Sequence, residues 1–413
     1  MKVMWLGHNL AYPPKGGALQ RNYNLLREIA RKCEVHVLAF DQPVTRPTNV
    51  SPQDCLQALS RFCASAEWVS LSSSSFGRTR YGLAITGIMT GEPYDFAWLR
   101  AAQMADKLRN MVEKVSPDVV HVDTLGLAQY LPAIGSSRSV LNHHDVESCK
   151  IELRARKERN VLLKSYFKME ARKLAAAERR WCPQFDVNAV VSEDEGSVLS
   201  QACPGLRVRV VPNGVDTEYF TPRADPGTRT ILFCGSMDMH PNQEAMEYFL
   251  RQIWPRLVAQ VPDVNLQVVG RKPPEWLNEV ARTDPRVQVT GFVDDVRPYF
   301  QKAAVCICPI LSGGGTRLKI LDSLAMGVPV VATSFAASGL SLEHGKHLFL
   351  TDTEQQFADY IQELLATPAL RLKLASAGSK RVDELYSWTV VGQTLMDVYE
   401  LACHGSIQAI HQA

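Results

Sequence analysis

Short runs of consecutive apolar residues alternate with amphipathic stretches along most of the chain, and this alternation limits the fold more than any other feature. In the first half the runs include Val3–Leu6, Val35–Phe40 and Val119–Val122. Strands that are apolar on both faces and separated by helices are typical of a parallel sheet covered on both sides. The pattern therefore predicts an α/β protein.

The alternation starts again after a segment rich in Pro and Gly at residues 203–214. Later apolar runs include Ile231–Gly235 and Val305–Pro309. A chain of 413 residues is longer than one hydrophobic core usually holds. We therefore expect two α/β domains, at 1–206 and 207–385, followed by a helix.

The composition excludes several classes of protein. The 45 basic and 43 acidic residues give a formal net charge of +2, which offers no general attraction for nucleic acid. The ten cysteines form no CxxC pair and no cluster with zinc spacing, so we expect free thiols in a reducing compartment. No stretch of about 18 apolar residues is present, and the first residues lack the apolar core of a signal peptide. We expect a cytoplasmic protein that contacts, at most, the inner face of the cytoplasmic membrane.

One segment, residues 150–182, is strongly basic. It holds eleven Lys or Arg against four Glu, a formal net charge of +7. Helical spacing predicts one long helix or a broken pair, with a buried stripe that includes Leu163, Leu174 and Ala177. The charge fits either a solvated helix face or an anionic partner, such as a membrane surface or a lipid-phosphate acceptor.

The most specific motif is a glycine-rich turn between a strand that ends at Pro309 and a helix that opens at Thr316. Glycines let the backbone approach a phosphate without a Cβ clash, and the free N–H groups of a helix's first turn attract an anion. The basic side chains of the motif add charge, and Asp322 can accept hydrogen bonds from ribose hydroxyls. This is the outline of a nucleoside-diphosphate site. Its predicted residues are Gly314, Gly315, Thr316, Arg317, Lys319 and Asp322.

With this motif the chain resembles the GT-B glycosyltransferases, in particular family 4, whose members are retaining enzymes that use nucleotide sugars. Three more segments carry the resemblance: Val211–Asp216, Gly235–Asn242 and Val289–Val296. It implies two Rossmann-like domains facing a central cleft, the first of them completed by the C-terminal helix at about 386–413. The segment Tyr12–Arg21 is similar to members from exopolysaccharide clusters.

The resemblance also implies an activity and its partners. The expected reaction moves a hexose from a nucleotide-diphosphate sugar to a glycan or lipid-linked acceptor. Family members need no cofactor, and helix N-termini and basic side chains take the place of a bound metal ion at the diphosphate. The base, the sugar, the acceptor, the linkage and the oligomeric state are not encoded in any pattern we find.

The family resemblance assigns further donor contacts to Gly235, Ser236 and Val293. It also exposes departures from the family pattern. Of the usual Glu-x7-Glu pair, the second position is Asp322 and the first is Gly314, which has no side chain. Two positions that often supply an Arg and a Lys to the diphosphate match Ser236 and Asn242. We expect the basic residues of the glycine-rich motif to supply the missing charge.

In the first domain, polar residues at the end of a strand should face the cleft. Asp123 follows Val119–Val122 and best matches the family position that contacts the transferring sugar. His121, two residues earlier, is either an acceptor-side residue or a satisfied core histidine. Gly16 and Gly17 follow the first strand and either approach the donor or form an ordinary turn. We assign the catalytic roles to Asp123, Arg317 and Lys319.

A second polar cluster, residues 142–148, follows the next strand and resembles a family segment near the acceptor. We place His143 and His144 on the acceptor side, whereas Asp145 can equally cap the helix that follows. The same residues with Glu147 have the right chemistry for a metal site, but the family pattern leads us to expect none.

Two rival functions remain open on the sequence. A nucleotide-sugar 2-epimerase shares the GT-B architecture, although the context of Asp322 and the segment Pro212–Asp216 argue against it. A degenerate partner subunit without its own activity is suggested by Gly314. Intact donor hydrolysis, isomerisation, or binding without turnover would distinguish the three.

Overall fold

The computed structural model describes residues 1–14, 16–43, 46–47, 49–71, 80–222, 224–313 and 318–405. The chain divides into two compact units. The first comprises Met1–Pro212 and Val391–Ala413, and the second comprises Asn213–Val390. Each unit is described by itself below.

The first unit contains a seven-stranded parallel sheet in the order β3-β2-β1-β4-β5-β6-β7. The order reverses between β1 and β4, which are neighbours in the sheet although two other strands and the intervening helices lie between them along the chain. The strands are β1 (Lys2–Gly7), β2 (Glu34–Asp41), β3 (Ser65–Ser70), β4 (Val119–Val122), β5 (Arg138–Asn142), β6 (Val187–Val190) and β7 (Val208–Val210).

Helices connect these strands, as the sequence pattern predicts. They are α1 (Gly17–Ile29), α2 (Pro52–Leu59), α3 (Arg80–Thr90), α4 (Tyr94–Trp98), α5 (Ala102–Val115), α6 (Glu147–Lys157), α7 (Val161–Trp181) and α8 (Glu193–Ala202), with 3-10 turns at Leu125–Ala133 and Cys182–Gln184. The basic segment is thus a broken pair, α6 and α7, of the two forms left open. Leu174 and Ala177 are buried, but Leu163, in the first turn of α7, is 47% exposed and does not belong to the predicted buried stripe.

The second unit contains a six-stranded parallel sheet in the order β10-β9-β8-β11-β12-β13. Its strands are β8 (Thr230–Cys234), β9 (Asn265–Val269), β10 (Val287–Val289), β11 (Val305–Cys308), β12 (Val330–Ala332) and β13 (Phe349–Leu350). Its helices are α9 (His240–Tyr248), α10 (Trp254–Gln260), α11 (Glu275–Thr283), α12 (Arg297–Lys302), α13 (Leu318–Ala325), α14 (Ser334–Ala337), α15 (Glu354–Ala366) and α16 (Pro368–Tyr386), followed by α17 (Trp388–His404).

The helical segment after β8 is irregular in its middle. A π-helical turn at Phe249–Ile253 separates α9 from α10, which has Pro255 in its first turn. Proline has no N–H to bond to the preceding turn, so the ladder of α-helical hydrogen bonds is interrupted there.

The central strands of both sheets are buried on both faces. Most described residues of β1, β4, β8, β11 and β12 are fully buried, as strands covered on both faces must be. The ten cysteines, all of them among the described residues, form no disulfide. Among the described residues, none of the helices combines the length and apolar character that crossing a bilayer requires. Two parallel-sheet α/β units confirm the predicted fold class.

In open parallel sheets, ligands bind beyond the carboxyl ends of the strands, where the strand order reverses. In the first unit this point lies between β1 and β4, and in the second unit it lies between β8 and β11. The residues that follow these four strands are therefore the first place to look for a site.

Candidate active site

The loop after β8 contains a glycine that its surroundings require. A Cβ on Gly235 would lie 2.6 Å from Lys319 Nζ and 3.0 Å from Asn242 Nδ2. The next residue, Ser236, accepts a hydrogen bond on its carbonyl oxygen from Asn242 Nδ2 at 2.7 Å. The predicted donor residues Gly235 and Ser236 therefore lie together with a basic side chain from α13.

Lys319 is held in place at the end of β8 by two contacts. Its Nζ donates to Asn242 Oδ1 at 2.7 Å and lies 4.1 Å from the centre of the Phe233 ring. The resemblance places a Lys of many relatives at the position of Asn242. In this structure the amide of Asn242 binds Lys319, the cation that we expect to contact the diphosphate instead.

Asp322 lies one turn further along α13 and is partly buried. Burial raises the pKa of its carboxyl group to about 7, although Lys319 acts to lower it. The adjacent Cys234 thiol has a pKa of about 12, chiefly because it is buried. Asp322 is therefore a carboxyl group that exchanges its proton near neutral pH.

Four predicted site residues, Gly314, Gly315, Thr316 and Arg317, lie outside the described residues, and their roles stay predictions. Close before them in the chain, Ser312 is buried and donates a hydrogen bond from its hydroxyl to the carboxylate of Glu244 on α9. Our sequence reasoning missed Glu244. The available signal was its position two residues after Asn242, just beyond the segment that resembles the family.

Val293, predicted to contact the donor, lies in the loop after β10. Its side chain is partly buried and packs against the hydrophobic core of the second unit. The neighbouring Phe292 is 63% exposed. Packing thus accounts for the Val293 side chain, and a donor contact there stays a prediction.

In the first unit, Asp123 is the centre of a polar cluster at the ends of β1, β4 and β5. Its side chain is fully buried, and four side chains donate to or pair with its two oxygens. His8 Nδ1 lies 2.5 Å and Asn22 Nδ2 2.6 Å from Oδ2, while His144 Nε2 lies 3.1 Å and Asn142 Nδ2 3.4 Å from Oδ1. Of these partners, sequence reasoning singled out His144 and missed His8 and Asn22.

These partners keep Asp123 ionised. Burial alone would raise the pKa of Asp123, but His144 and His8 lower it well below its ordinary value. Burial lowers the pKa of His8 as well, but Asp123 outweighs this and raises it above the ordinary value. For His144, burial outweighs Asp123 and lowers the pKa. The cluster is therefore a buried carboxylate between two imidazoles of unequal basicity.

Two predicted acceptor-side residues lie inside the first unit instead. His121 stacks on Trp5 at 3.7 Å between ring centres, and its Nδ1 is 3.0 Å from the hydroxyl of Tyr399. His143 Nε2 lies 3.1 Å from Asn188 Oδ1. Burial lowers the pKa of His121 to about 3 and that of His143 to about 4. His121 lies within β4 and His143 directly follows β5, and both side chains are buried. Contacts inside the first unit account for these two side chains, and an acceptor contact stays a prediction.

The predicted cap at Asp145 is wrong, because α6 has Val146 at its N-cap and no side chain caps it. Asp145 instead pairs with Lys150 at 2.8 Å, and Glu147 lies 3.6 Å from the same ammonium. Burial raises the pKa of Glu147 to about 7, with Lys150 acting against it and Asp95 reinforcing it. The two carboxyl groups and Lys150 form a second titratable group near His8, whose pKa Glu147 also raises.

The glycine pair after β1 opens helix α1. Gly16 is its N-cap, with a φ of 96° that favours glycine, and Gly17 is its first residue. Among the described residues, none has an atom within 4 Å of the Cβ that either glycine lacks. The first turn of α1 therefore has open space in front of it, as the predicted approach of a donor requires.

Arg21, one turn further along α1, is buried and binds the end of the sheet. Its guanidinium donates to the carbonyls of Pro212 at 2.6 Å and Val211 at 2.7 Å, and to Asn142 Oδ1 at 3.2 Å. Asn142 in turn contacts Asp123, so α1 is tied to the polar cluster.

The described residues contain one group of three or more side chains suited to hold a metal ion, namely His8, Asp123 and His144. The combination weighed from the sequence, with His143, Asp145 and Glu147, does not come together.

Two family models match the chain. The model described as Glycosyltransferase Family 4 matches residues 15–219, and the model described as Glycosyl transferases group 1 matches residues 228–367. The phosphatidyl-myo-inositol mannosyltransferase of Mycolicibacterium smegmatis is 31% identical over 208 residues, which are 48% of this chain and 53% of that protein. The chain thus spans about half the length of the curated relatives it matches.

Solved structures with a similar fold cover nearly the whole chain. Sucrose-phosphate synthase from Thermosynechococcus elongatus has a TM-score of 0.71 at 17% identity, over 98% of this chain and 100% of that one. Anabaena HepE in complex with UDP has a TM-score of 0.65 at 16% identity, over 97% of this chain and 100% of that one. At such identities the likeness concerns the fold alone.

Proposed function

Since this chain belongs to the family 4 glycosyltransferases and has the GT-B fold, we propose that it is a retaining hexosyltransferase. Its donor is a nucleotide-diphosphate sugar, and its acceptor is a glycan or a lipid-linked glycan. The second unit binds the donor, and Asp123 of the first unit keeps the catalytic role that the resemblance implies. The arrangement of Gly235, Lys319 and Asp322 around the end of β8 carries this proposal.

The three residues fit the parts of a nucleotide sugar. Gly235 lets Lys319 pack closely on the backbone after β8, Lys319 places a cation 2.7 Å from Asn242 at the same strand end, and Asp322 offers a carboxyl group to ribose hydroxyls. The leaving diphosphate gains charge in the transition state, so a fixed cation beside it would lower the barrier. No protein nucleophile is needed if the phosphate oxygen receives the acceptor proton on the front face.

The acceptor side is proposed from charge and exposure in the first unit. Around the turn between α6 and α7, Leu153 is 53%, Val161 74% and Leu162 81% exposed. Exposed basic side chains surround them, among them Arg154, Arg156, Lys157, Arg159 and Lys168. Exposed apolar side chains within a basic surface are suited to the interface of an anionic membrane. A lipid-linked acceptor of an exopolysaccharide pathway would be presented at such an interface.

The deciding experiment measures binding and turnover together. The full chain is titrated by calorimetry with UDP, GDP and ADP, and then incubated with the corresponding nucleotide sugars. We expect one nucleoside diphosphate to bind and its sugar to be slowly hydrolysed, with inversion or retention read from the anomer released. Isomerisation of the donor would instead indicate an epimerase. Binding without any turnover, with or without membrane extracts, would indicate a partner subunit.

A further inference from the structure

The His8, Asp123 and His144 cluster is the one arrangement in the described chain that the proposed reaction does not fully use. One side chain follows β1, one follows β4 and one follows β5, so the three come from different connections at the same sheet edge. Their donor atoms, His8 Nδ1, one Asp123 carboxylate oxygen and His144 Nε2, all lie within 4.8 Å of one another.

Two imidazoles and one carboxylate form a donor set that divalent transition metals prefer in proteins. Two ligands on a tetrahedral ion at about 2.1 Å lie about 3.4 Å apart. In the structure His8 Nδ1 lies 2.5 Å from Asp123 Oδ2 and His144 Nε2 lies 3.1 Å from Asp123 Oδ1, so the two rings approach different oxygens of one carboxylate. Small movements of the two rings would therefore convert the hydrogen-bonded cluster into a ligand set.

The carboxylate has the support that a metal ligand usually has. Asn22 donates to Asp123 Oδ2 at 2.6 Å and Asn142 lies 3.4 Å from Oδ1, so both oxygens are oriented from behind. The side chains of Asn22, Asn142 and Asp123 are buried, so this support is rigid.

A second observation points to something that is bound there. The amide oxygen of Asn22 is buried and accepts no hydrogen bond from any described residue. Buried acceptors are nearly always satisfied by protein or ordered water. This oxygen belongs to the same amide group that touches Asp123, so water on a nearby ion is within its reach.

The cluster is also accessible from one side. The His8 side chain is 18% exposed and that of His144 is 17% exposed, whereas Asp123 has no exposure. An ion seated between the two rings would keep a coordination position towards the surface. That position suits water or a hydroxyl group of a sugar.

We propose that His8, Asp123 and His144 bind one divalent transition-metal ion, with Zn²⁺ the best match to the donor set. The site belongs to the first unit and shares no residue with the donor-binding residues of the second. The resemblance implies no ion at the diphosphate, and ion binding by these three side chains does not depend on the proposed reaction.

The test uses the full chain without a histidine tag, stripped with a chelator. Titration with Co²⁺ is followed by visible absorption, and Zn²⁺ is added in competition. We expect one ion per chain, with the intense bands of low-coordinate Co²⁺ that Zn²⁺ abolishes. His8→Gln and His144→Gln should each weaken binding by more than about 100-fold, and Asn22→Ala by about 10- to 100-fold.

His240→Ala removes an exposed histidine on α9 and serves as the matched control, for which binding should not change. Circular dichroism melting of each variant separates loss of the ligand from loss of the fold. The proposal is overturned if the wild-type chain shows no stoichiometric Co²⁺ bands. It is also overturned if a His8→Gln, His144→Gln double variant that melts normally still binds one ion, because the cluster is then only an ion pair between His8 and Asp123.

Discussion

The pKa values of the two carboxyl groups most important to the proposed reaction shift in opposite directions. Asp322 is partly buried, with Lys319 the one cation among the described residues that acts on it, and its pKa rises to about 7. Asp123 is buried more completely, yet its pKa falls below its ordinary value because His144 and His8 face it. The number of facing partners, rather than burial alone, decides which carboxyl group holds a proton.

The pKa of Asp322 predicts how donor affinity depends on pH. If the ionised carboxylate accepts from the ribose, affinity for the nucleoside diphosphate rises as the pH rises through about 7 and levels off above it. A binding site that needs this ionised form is about 10-fold weaker at pH 6 than at pH 8. Calorimetry at both pH values, in buffers of different ionisation enthalpy, should also show proton release at pH 6. Equal affinities with no proton release would contradict this role.

Substitution tests the same residue directly. Asp322→Ala removes a charged hydrogen-bond acceptor and should weaken diphosphate binding by about 10- to 150-fold. Asp322→Glu should be mild, because relatives carry Glu at this position. The measurement is calorimetric titration of the tightest diphosphate. Affinity in Asp322→Ala equal to that of the wild type would remove Asp322 from the donor site.

Lys319 is expected to act on turnover more than on binding. Its Nζ is already fixed by Asn242 at 2.7 Å, so it meets the growing charge of the leaving diphosphate without rearrangement. Lys319→Met should therefore lower kcat by about 100-fold while KM for the donor changes by less than about 5-fold. Arg317→Ala is the comparison. The sequence predicts Arg317 and Lys319 in one helix, where residues two positions apart do not share a face, so only one of them need contact the diphosphate. If only Arg317→Ala lowers kcat, the phosphate charge comes from Arg317.

At the scale of elements, both units place their candidate residues in the connection between the first strand and the first helix. In the first unit this is the turn at Gly16 and Gly17, which opens α1. In the second it is the loop at Gly235, which is packed against Lys319 and Asn242. The two turns use glycine for different reasons. Gly16 and Gly17 leave the approach to α1 open, whereas Gly235 makes room for Lys319 and Asn242 to pack against the backbone.

A pair of alanine substitutions separates these reasons. Gly235→Ala places a methyl group 2.6 Å from Lys319 Nζ, so it should displace the cation and lower diphosphate affinity. Gly17→Ala meets no described atom within 4 Å and lies in a helix, so the folded protein should be as stable or more stable by about 0.4–1 kcal/mol. Calorimetric titration and urea unfolding of both variants provide the readouts. A loss of turnover in Gly17→Ala at full stability would support a substrate contact at α1.

At the scale of the molecule, the sequence alone predicts the two parallel sheets but not the position of every side chain. Continuous apolar runs are enough to predict two parallel sheets, and residues just past a strand are enough to find Asp123 and His144. His8 and Asn22 are partners of Asp123 only because β1 pairs with β4, across more than 100 positions of the chain. Of the two readings left open for His121, its burial against Trp5, which lies opposite it in the sheet register, fits a core histidine.

The exposed apolar and basic side chains around the turn between α6 and α7 predict how the protein binds a membrane. Co-sedimentation with vesicles should require anionic lipid and fall at high salt, because each basic residue near the surface contributes about 1 kcal/mol within a Debye length. A Val161→Ser, Leu162→Ser double variant should bind less, since the apolar tips no longer enter the interface. Leu372→Ser, which changes an equally exposed leucine in the second unit, is the matched control. If binding does not depend on lipid charge, on salt or on the Val161→Ser, Leu162→Ser substitutions, α6 and α7 are only a solvated helix pair.

The return of the chain from the second unit to the first has a consequence for biosynthesis. Tyr399 on α17 bonds to His121, and Gly392 packs so closely on α1 that a Cβ would lie 2.5 Å from Glu28. These partners leave the ribosome only after the whole second unit has been made. The amino-terminal unit is therefore the last to be completed during synthesis, and a nascent chain stalled before residue 391 would expose an uncovered strip of its core to chaperones.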